Sequence, residues 1–170
     1  LSWRGHLSED LADPCWDERN VIEKLLFFAL AFLTTIASAA TFRAGVATVD
    51  ISPTEFPRII AGGFLEGRGT QLADKLFVRS FVLDDGKMKI AFAIVDTCMM
   101  EQSLIDEAKS IASKQCGIPV DRMMVSATHT HSAPAAMGCL GTRQDPEYAK
   151  FLIPKIAESI VGAHKRLQPA

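Results

Sequence analysis

Leu76-Phe-Val-Arg-Ser-Phe-Val-Leu83 and Lys87-Met-Lys-Ile-Ala-Phe-Ala-Ile-Val95, joined by Asp84-Asp85-Gly86, decide the fold. Asp-Gly between two apolar runs is a strong short-range hairpin signal, because both turn residues must tolerate positive φ. The second run becomes continuously apolar from Ile90 to Val95, the pattern of a strand covered on both faces. It stops at Asp96, and in sheets of this kind ligands gather at the carboxyl ends of strands. Upstream, Phe42 to Ile51 alternates loosely and ends at Ser52-Pro53, where proline removes a donor. Downstream, Leu104, Ile105, Ala108, Ile111 and Ala112 fall at helical spacing, which predicts a helix over Glu101–Cys116 closed by Gly117 and Pro119. Arg122 to Ala127 is a short buried strand. After a polar loop over 128–145, a last helix runs from Pro146 to about Leu167, with Asp145 as its N-cap. Pro154 should kink or split that helix. The expected fold is α/β or α+β, a mixed β-sheet with flanking helices.

Composition bounds the function. The chain has 170 residues, 48% hydrophobic and 22% charged, with a formal net charge of −2. That apolar fraction excludes a disordered chain, and 18 basic against 20 acidic residues leave no basic stripe for nucleic acid. Hydrophobicity is uneven. Residues 25–37 form an uncharged run followed by Ser38-Ala39-Ala40, which suits a signal-peptide core and a cleavage site after Ala39 or Ala40. A buried helix or an uncleaved anchor is the alternative. The expected organisation is a doubtful leader over 1–20, a signal peptide over 21–40 and a domain over 41–170. Export to the periplasm or the outside follows, or membrane anchoring if the run is retained. The chain starts at Leu1 and its first methionine is Met88, so it is not expected to be a complete native chain.

Beyond residue 40 the balance is 15 basic to 14 acidic side chains, net +1. Cys98, Cys116 and Cys139 remain. An odd number without a close pair argues against a disulfide framework and against a cysteine-type zinc site, so Cys98 and Cys116 are expected to pack as small hydrophobes. Gly62, Gly63, Gly67 and Gly69 mark a mobile or tightly turned loop that lacks the features of a phosphate cradle; its glycines let backbone approach a ligand or another loop.

The chemistry gathers at Thr128-His129-Thr130-His131-Ser132, which leaves a buried strand and enters a loop rich in Ala, Gly and Pro. In extended backbone, residues two apart face one side, so His129 and His131 are both expected to face one pocket. Imidazole is a common zinc ligand, and a second one nearby can act as acid, base or oxyanion donor. Two surface histidines on a loop would give the same pattern. Asp96 could ligate, hold a histidine, or serve a turn. His164, beside Lys165 and Arg166, is expected to be solvated and to complement the helix dipole.

Ser126-Ala-Thr-His-Thr-His-Ser-Ala-Pro134 resembles the Ser-Ala-Thr-His-Thr-His-Ser-Gly-Pro signature of the neutral/alkaline non-lysosomal ceramidases. Ala44 to Pro53 is similar to that family's opening strand, Leu76 to Leu83 to its next strand, and Ile94-Val-Asp96 to its apolar strand ending in Asp. The resemblance spans about residues 42–170. It implies a zinc-dependent amidase that cleaves the N-acyl bond of a ceramide, with His129 as a Zn2+ ligand and His131 beside the metal as the catalytic group engaging the substrate. It also implies that further ligands (His, Glu, Tyr) follow this motif, so the chain is expected to be the N-terminal portion of a larger catalytic domain, inactive alone. The implied partner is a small-molecule lipid amide, with membrane-surface association through that substrate; the oligomeric state stays open. The other class is a non-catalytic exported domain that binds a lipid or a partner.

Overall fold

The computed structural model describes residues 41–170, together with Glu23. The leader and the signal peptide expected over 1–40 lie outside the described residues. Within 41–170 the chain forms β1 (Arg43–Asp50), β2 (Arg58–Ile60), β3 (Gly67–Gly69), β4 (Phe77–Asp84), β5 (Lys89–Val95), α1 (Gln102–Cys116), β6 (Met123–Ala127), α2 (Pro146–Lys165) and β7 (Gln168–Pro169). A five-stranded sheet runs β6-β5-β4-β1-β7, and β2 and β3 form a separate two-stranded ribbon. The β4–β5 hairpin forms, with Asp84 opposite Lys89, but it turns through residues 85–88 and only Gly86 takes a positive φ, 85°, so the expected pair of positive-φ turn residues is not used. β5 and β6 are parallel, with Val95 opposite Ala127, and every other pairing is antiparallel. The sheet is therefore mixed, and the connection from β5 to β6 passes through α1.

Alternation along the strands decides which face is core. Ala47 of β1, Val78 and Val82 of β4, and Ala91, Ala93 and Val95 of β5 are all nearly inaccessible and belong to one cluster with α1 and α2. Leu152, Ile156 and Ile160 are fully buried at helical spacing and line the inner face of α2. Each such side chain contributes roughly 1.5–3 kcal/mol by leaving water. Small residues at Ala91 and Ala93 leave room for α2 against the sheet. The hydroxyl of Tyr148, on the first turn of α2, donates to the carbonyl of Ile51 at 2.9 Å and ties helix to strand end.

Several expectations are corrected. β5 is not covered on both faces: Ile90, Phe92 and Ile94 are only half-buried, and Phe92 stacks on Phe81 at 4.6 Å across the ladder. Its apolar run reflects cross-strand pairing rather than a second helical layer. Pro154 does not split α2, which continues through it to Lys165. The glycine-rich stretch holds the β2–β3 ribbon rather than only a loop. The chain end returns as β7 on the edge of β1, which no periodicity announced. His164 is half-buried rather than solvated, and burial, with Lys89 nearby, lowers its pKa. Asp145 caps α2 as expected, accepting from the Tyr148 N–H at 3.0 Å.

Candidate metal and substrate site

The site lies at the carboxyl ends of the parallel pair β5–β6. After Ala127 the ladder extends one step, the Thr128 N–H donating to the Val95 carbonyl at 2.9 Å. His129 then takes a left-handed backbone, φ 62°, uncommon for a residue with a side chain and tolerated better by His than by most. The turn breaks the extended geometry from which the common facing of the two histidines was expected. They meet nonetheless: the His129 and His131 rings stand edge to face, 4.9 Å between centroids and 76° apart.

From the neighbouring strand end comes Cys98, buried in the loop after Val95. His129 Nδ1–H donates to the Cys98 carbonyl at 2.9 Å, and Cys98 Sγ lies 3.8 Å from the same nitrogen. Donation from Nδ1 leaves the lone pair on Nε2, the arrangement that orients an imidazole as a ligand. One ligand atom each from Cys98, His129 and His131 falls within 4.8 Å of the others. Two imidazole nitrogens and a sulfur gathered at that spacing could hold a metal ion. Burial raises the Cys98 thiol's pKa, with Cys139 adding to the effect, so the thiol is protonated until a cation displaces the proton.

Cys98 is the member of the candidate cluster that sequence reasoning missed. The cysteine count spoke against a site made of cysteines and was silent on a mixed one. The available clue was topological: Cys98 and His129 lie just beyond the ends of two strands that pair in parallel, with Val95 level with Ala127. Cys98 does pack as a small hydrophobe, beside Ala61 and Ala135, and Cys116 packs against the main core. Cys98, Cys116 and Cys139 are free thiols.

Asp96 takes the turn role. Its Oδ2 accepts from the Phe77 N–H at 2.9 Å and from Arg79 Nη1 at 2.8 Å, while its own N–H donates to the Phe77 carbonyl. It locks the start of β4 to the end of β5 and stands outside the Cys–His–His cluster.

The β2–β3 ribbon covers the motif loop. The Ala61 N–H donates to the Ala133 carbonyl, and the Ala135 N–H donates to Ile59. Arg58 anchors the ribbon to the start of α2 through Glu147 at 2.8 Å and Asp145 at 3.4 Å. Gly62 then passes directly over His131. Ala133, which stands where the resembling motif has glycine, is fully buried, as are Ala135 and Ala136. On its open side His131 lines a cavity of about 260 Å³ whose walls include Phe56, Ile60, Leu72, Leu76 and Pro134. One imidazole thus belongs both to the metal-capable cluster and to an apolar groove.

No family model matches the chain. Among curated proteins it is similar to the neutral ceramidase of Drosophila pseudoobscura pseudoobscura, 31% identical over 120 residues, covering 66% of this chain and 17% of the fly protein. The neutral ceramidase of Drosophila melanogaster is 33% identical over 115 residues, covering 65% of this chain and 16% of its relative. The fold is similar to the crystal structure of neutral ceramidase from Pseudomonas aeruginosa, with a TM-score of 0.67 and 23% identity over 76% of this chain and 22% of that one. A second solved structure, a ceramidase complexed with C2, matches equally. The chain spans about a sixth of the length of the curated relatives it matches.

Proposed function

Over the region that they share, this chain belongs to the neutral ceramidase family, and we propose that it contributes zinc-dependent amide hydrolysis on a lipid amide of the N-acylsphingosine type. The observation that carries the reading is the double placement of His131, in the Cys98–His129–His131 cluster and in the wall of the apolar groove. The relatives' names supply the substrate class, and the groove supplies a surface that an acyl or sphingoid chain fits.

The donor set fits zinc: His129, whose Nε2 lone pair is freed by the Nδ1 hydrogen bond, would be the principal ligand, and Cys98 brings a sulfur into the same cluster. When bound, zinc acidifies water to a pKa near ~7 and polarises a carbonyl. The protein's own groups do the rest. The Cys98 carbonyl holds the His129 ring in one orientation. His131, exposed on the groove side, is placed to donate a hydrogen bond to the oxygen of a substrate amide or to pass a proton to its nitrogen. Phe56, Ile60, Leu72 and Leu76 hold the chain of the substrate and keep water from the amide. Export directed by residues 21–40 belongs to the same proposal.

The test is release of fatty acid from a short-chain N-acylsphingosine by the protein, with and without zinc, beside zinc stoichiometry on the same samples. We expect zinc uptake that His129→Ala abolishes and little or no hydrolysis by this chain alone; turnover by the chain alone would overturn the expectation that it is an incomplete catalytic unit, and His131→Ala would then be expected to lower kcat. Zinc uptake indifferent to His129 would overturn the reading.

A further inference from the structure

Leu65 at 86% and Phe64 at 82% of full accessibility are the two most exposed large apolar side chains among the described residues, and Leu140 is 65% exposed. Phe64 and Leu65 sit in the β2–β3 connection, and Leu140 sits in the loop that begins with the histidine motif. They belong to one place. A Cβ on Gly141 would stand 2.0 Å from the Phe64 carbonyl oxygen, so the two loops touch backbone to backbone at that point. Thr142 Oγ1 donates to the Gly63 carbonyl at 3.0 Å. Arg143 grips Glu66 with both arms, Nε to Oε2 at 2.8 Å and Nη2 to Oε1 at 2.9 Å.

Three features narrow what this tip is for. Its two loops are clamped together, so presenting three bare side chains costs little further ordering. Leu140 keeps a left-handed backbone, φ 55°, where glycine or asparagine would be less strained; a strained, exposed leucine on a turn points to use of its side chain. And two arginines, Arg68 and Arg143, flank the tip and share the one carboxylate of Glu66. Single apolar side chains projecting from turns, with arginine beside them, fit a deformable apolar medium under an anionic surface better than a rigid partner with matching pockets.

We propose that Phe64, Leu65 and Leu140 form a tip that inserts into the interface of a lipid bilayer, with Arg68 and Arg143 at the level of its headgroups. Gly62, two residues before Phe64, lies against His131, so insertion sets the mouth of the groove at the bilayer surface. The inference stands on the loops and does not require the hydrolase reading.

Flotation of the whole chain with vesicles of phosphatidylcholine, with and without phosphatidylglycerol, tests it, together with amide hydrogen exchange on the vesicle-bound protein. We expect binding that is stronger on the anionic vesicles, protection gained at residues 62–66 and 138–142, and a loss of at least about tenfold in the Phe64→Ser/Leu65→Ser/Leu140→Ser variant. Val46→Ser, at a residue 66% exposed on the main sheet, should bind as the parent does. His129→Ala should also bind undiminished, so a failed hydrolase reading and a failed tip are told apart. Absence of binding to either vesicle overturns the proposal. So does binding without protection at the tip, which would place attachment elsewhere, residues 25–37 included. Tip protection that grows with protein concentration in the absence of lipid overturns it too, in favour of a protein interface.

Discussion

A Cβ placed on Gly62 would lie 2.4 Å from Nδ1 of His131 and 2.5 Å from its Cγ, closer than non-bonded atoms come. Gly62 also holds φ at 90°. The ribbon therefore rests its bare backbone on the imidazole, and that contact helps set where the ring points between the cluster and the groove.

Gly62→Ala should destabilise the protein by roughly 1–3 kcal/mol, since both the backbone angle and the contact oppose a side chain. Gly67→Ala, where a Cβ meets nothing within 4 Å, should be nearly neutral. Thermal unfolding compares the two. The His131 ring resonances should move in the Gly62 variant and stay in the other.

Removing a ligand should be legible without any substrate. His129→Ala should weaken zinc binding by more than tenfold, measured by competition with a chromophoric chelator. Cobalt reports on the sulfur: the parent should show a thiolate-to-cobalt charge-transfer band that Cys98→Ser lacks. A band surviving in Cys98→Ser would remove Cys98 from the ligand set.

Acid should unfold the protein through a small set of carboxylates. Asp50 is lowered to about 2 by its Ser52 hydrogen bonds and Lys75, and Glu66 to about 2 by Arg143. Asp84 is lowered as well, by the Gly86 N–H first and by Arg43. A depressed folded-state pKa means the stabilisation is present above the ordinary carboxylate range near ~4 and is lost as pH falls toward the folded value. Urea midpoints should thus decline from about pH 4 to about pH 2. Asp84→Asn should flatten the decline, and high salt should shrink the exposed Glu66–Arg143 share.

Tyr148→Phe keeps the bulk of the side chain yet should cost about 1–3 kcal/mol, because the Ile51 carbonyl loses its hydroxyl donor in a buried position. Leu152→Ala, in the fully buried face of α2, should cost about 2–5 kcal/mol by leaving a cavity. Chemical denaturation measures both.

The mature N-terminus should be Ala40 or Thr41, matching cleavage after Ala39 or Ala40, as N-terminal sequencing of the exported protein would read. A terminus at Leu1 in the exported form would count against the signal peptide.

Local chemistry determined much of this protein from the sequence. The Asp-Gly turn, the helical spacing of Leu104 to Ala112, the Asp145 cap and the alternation of β1 are short-range patterns, and each element stands within a residue or two of its expected place. The histidine pair was legible for the same reason, being contiguous. What the tertiary structure decided is contact between segments far apart in the chain. The parallel pairing of β5 with β6 brings Cys98 to His129 across 31 residues, and the ribbon lays Gly62 on His131 across 69. Nothing in either local stretch encodes those meetings. They follow from burying one face of the sheet under α2, which sets the strand order and with it the edge on which the loops converge.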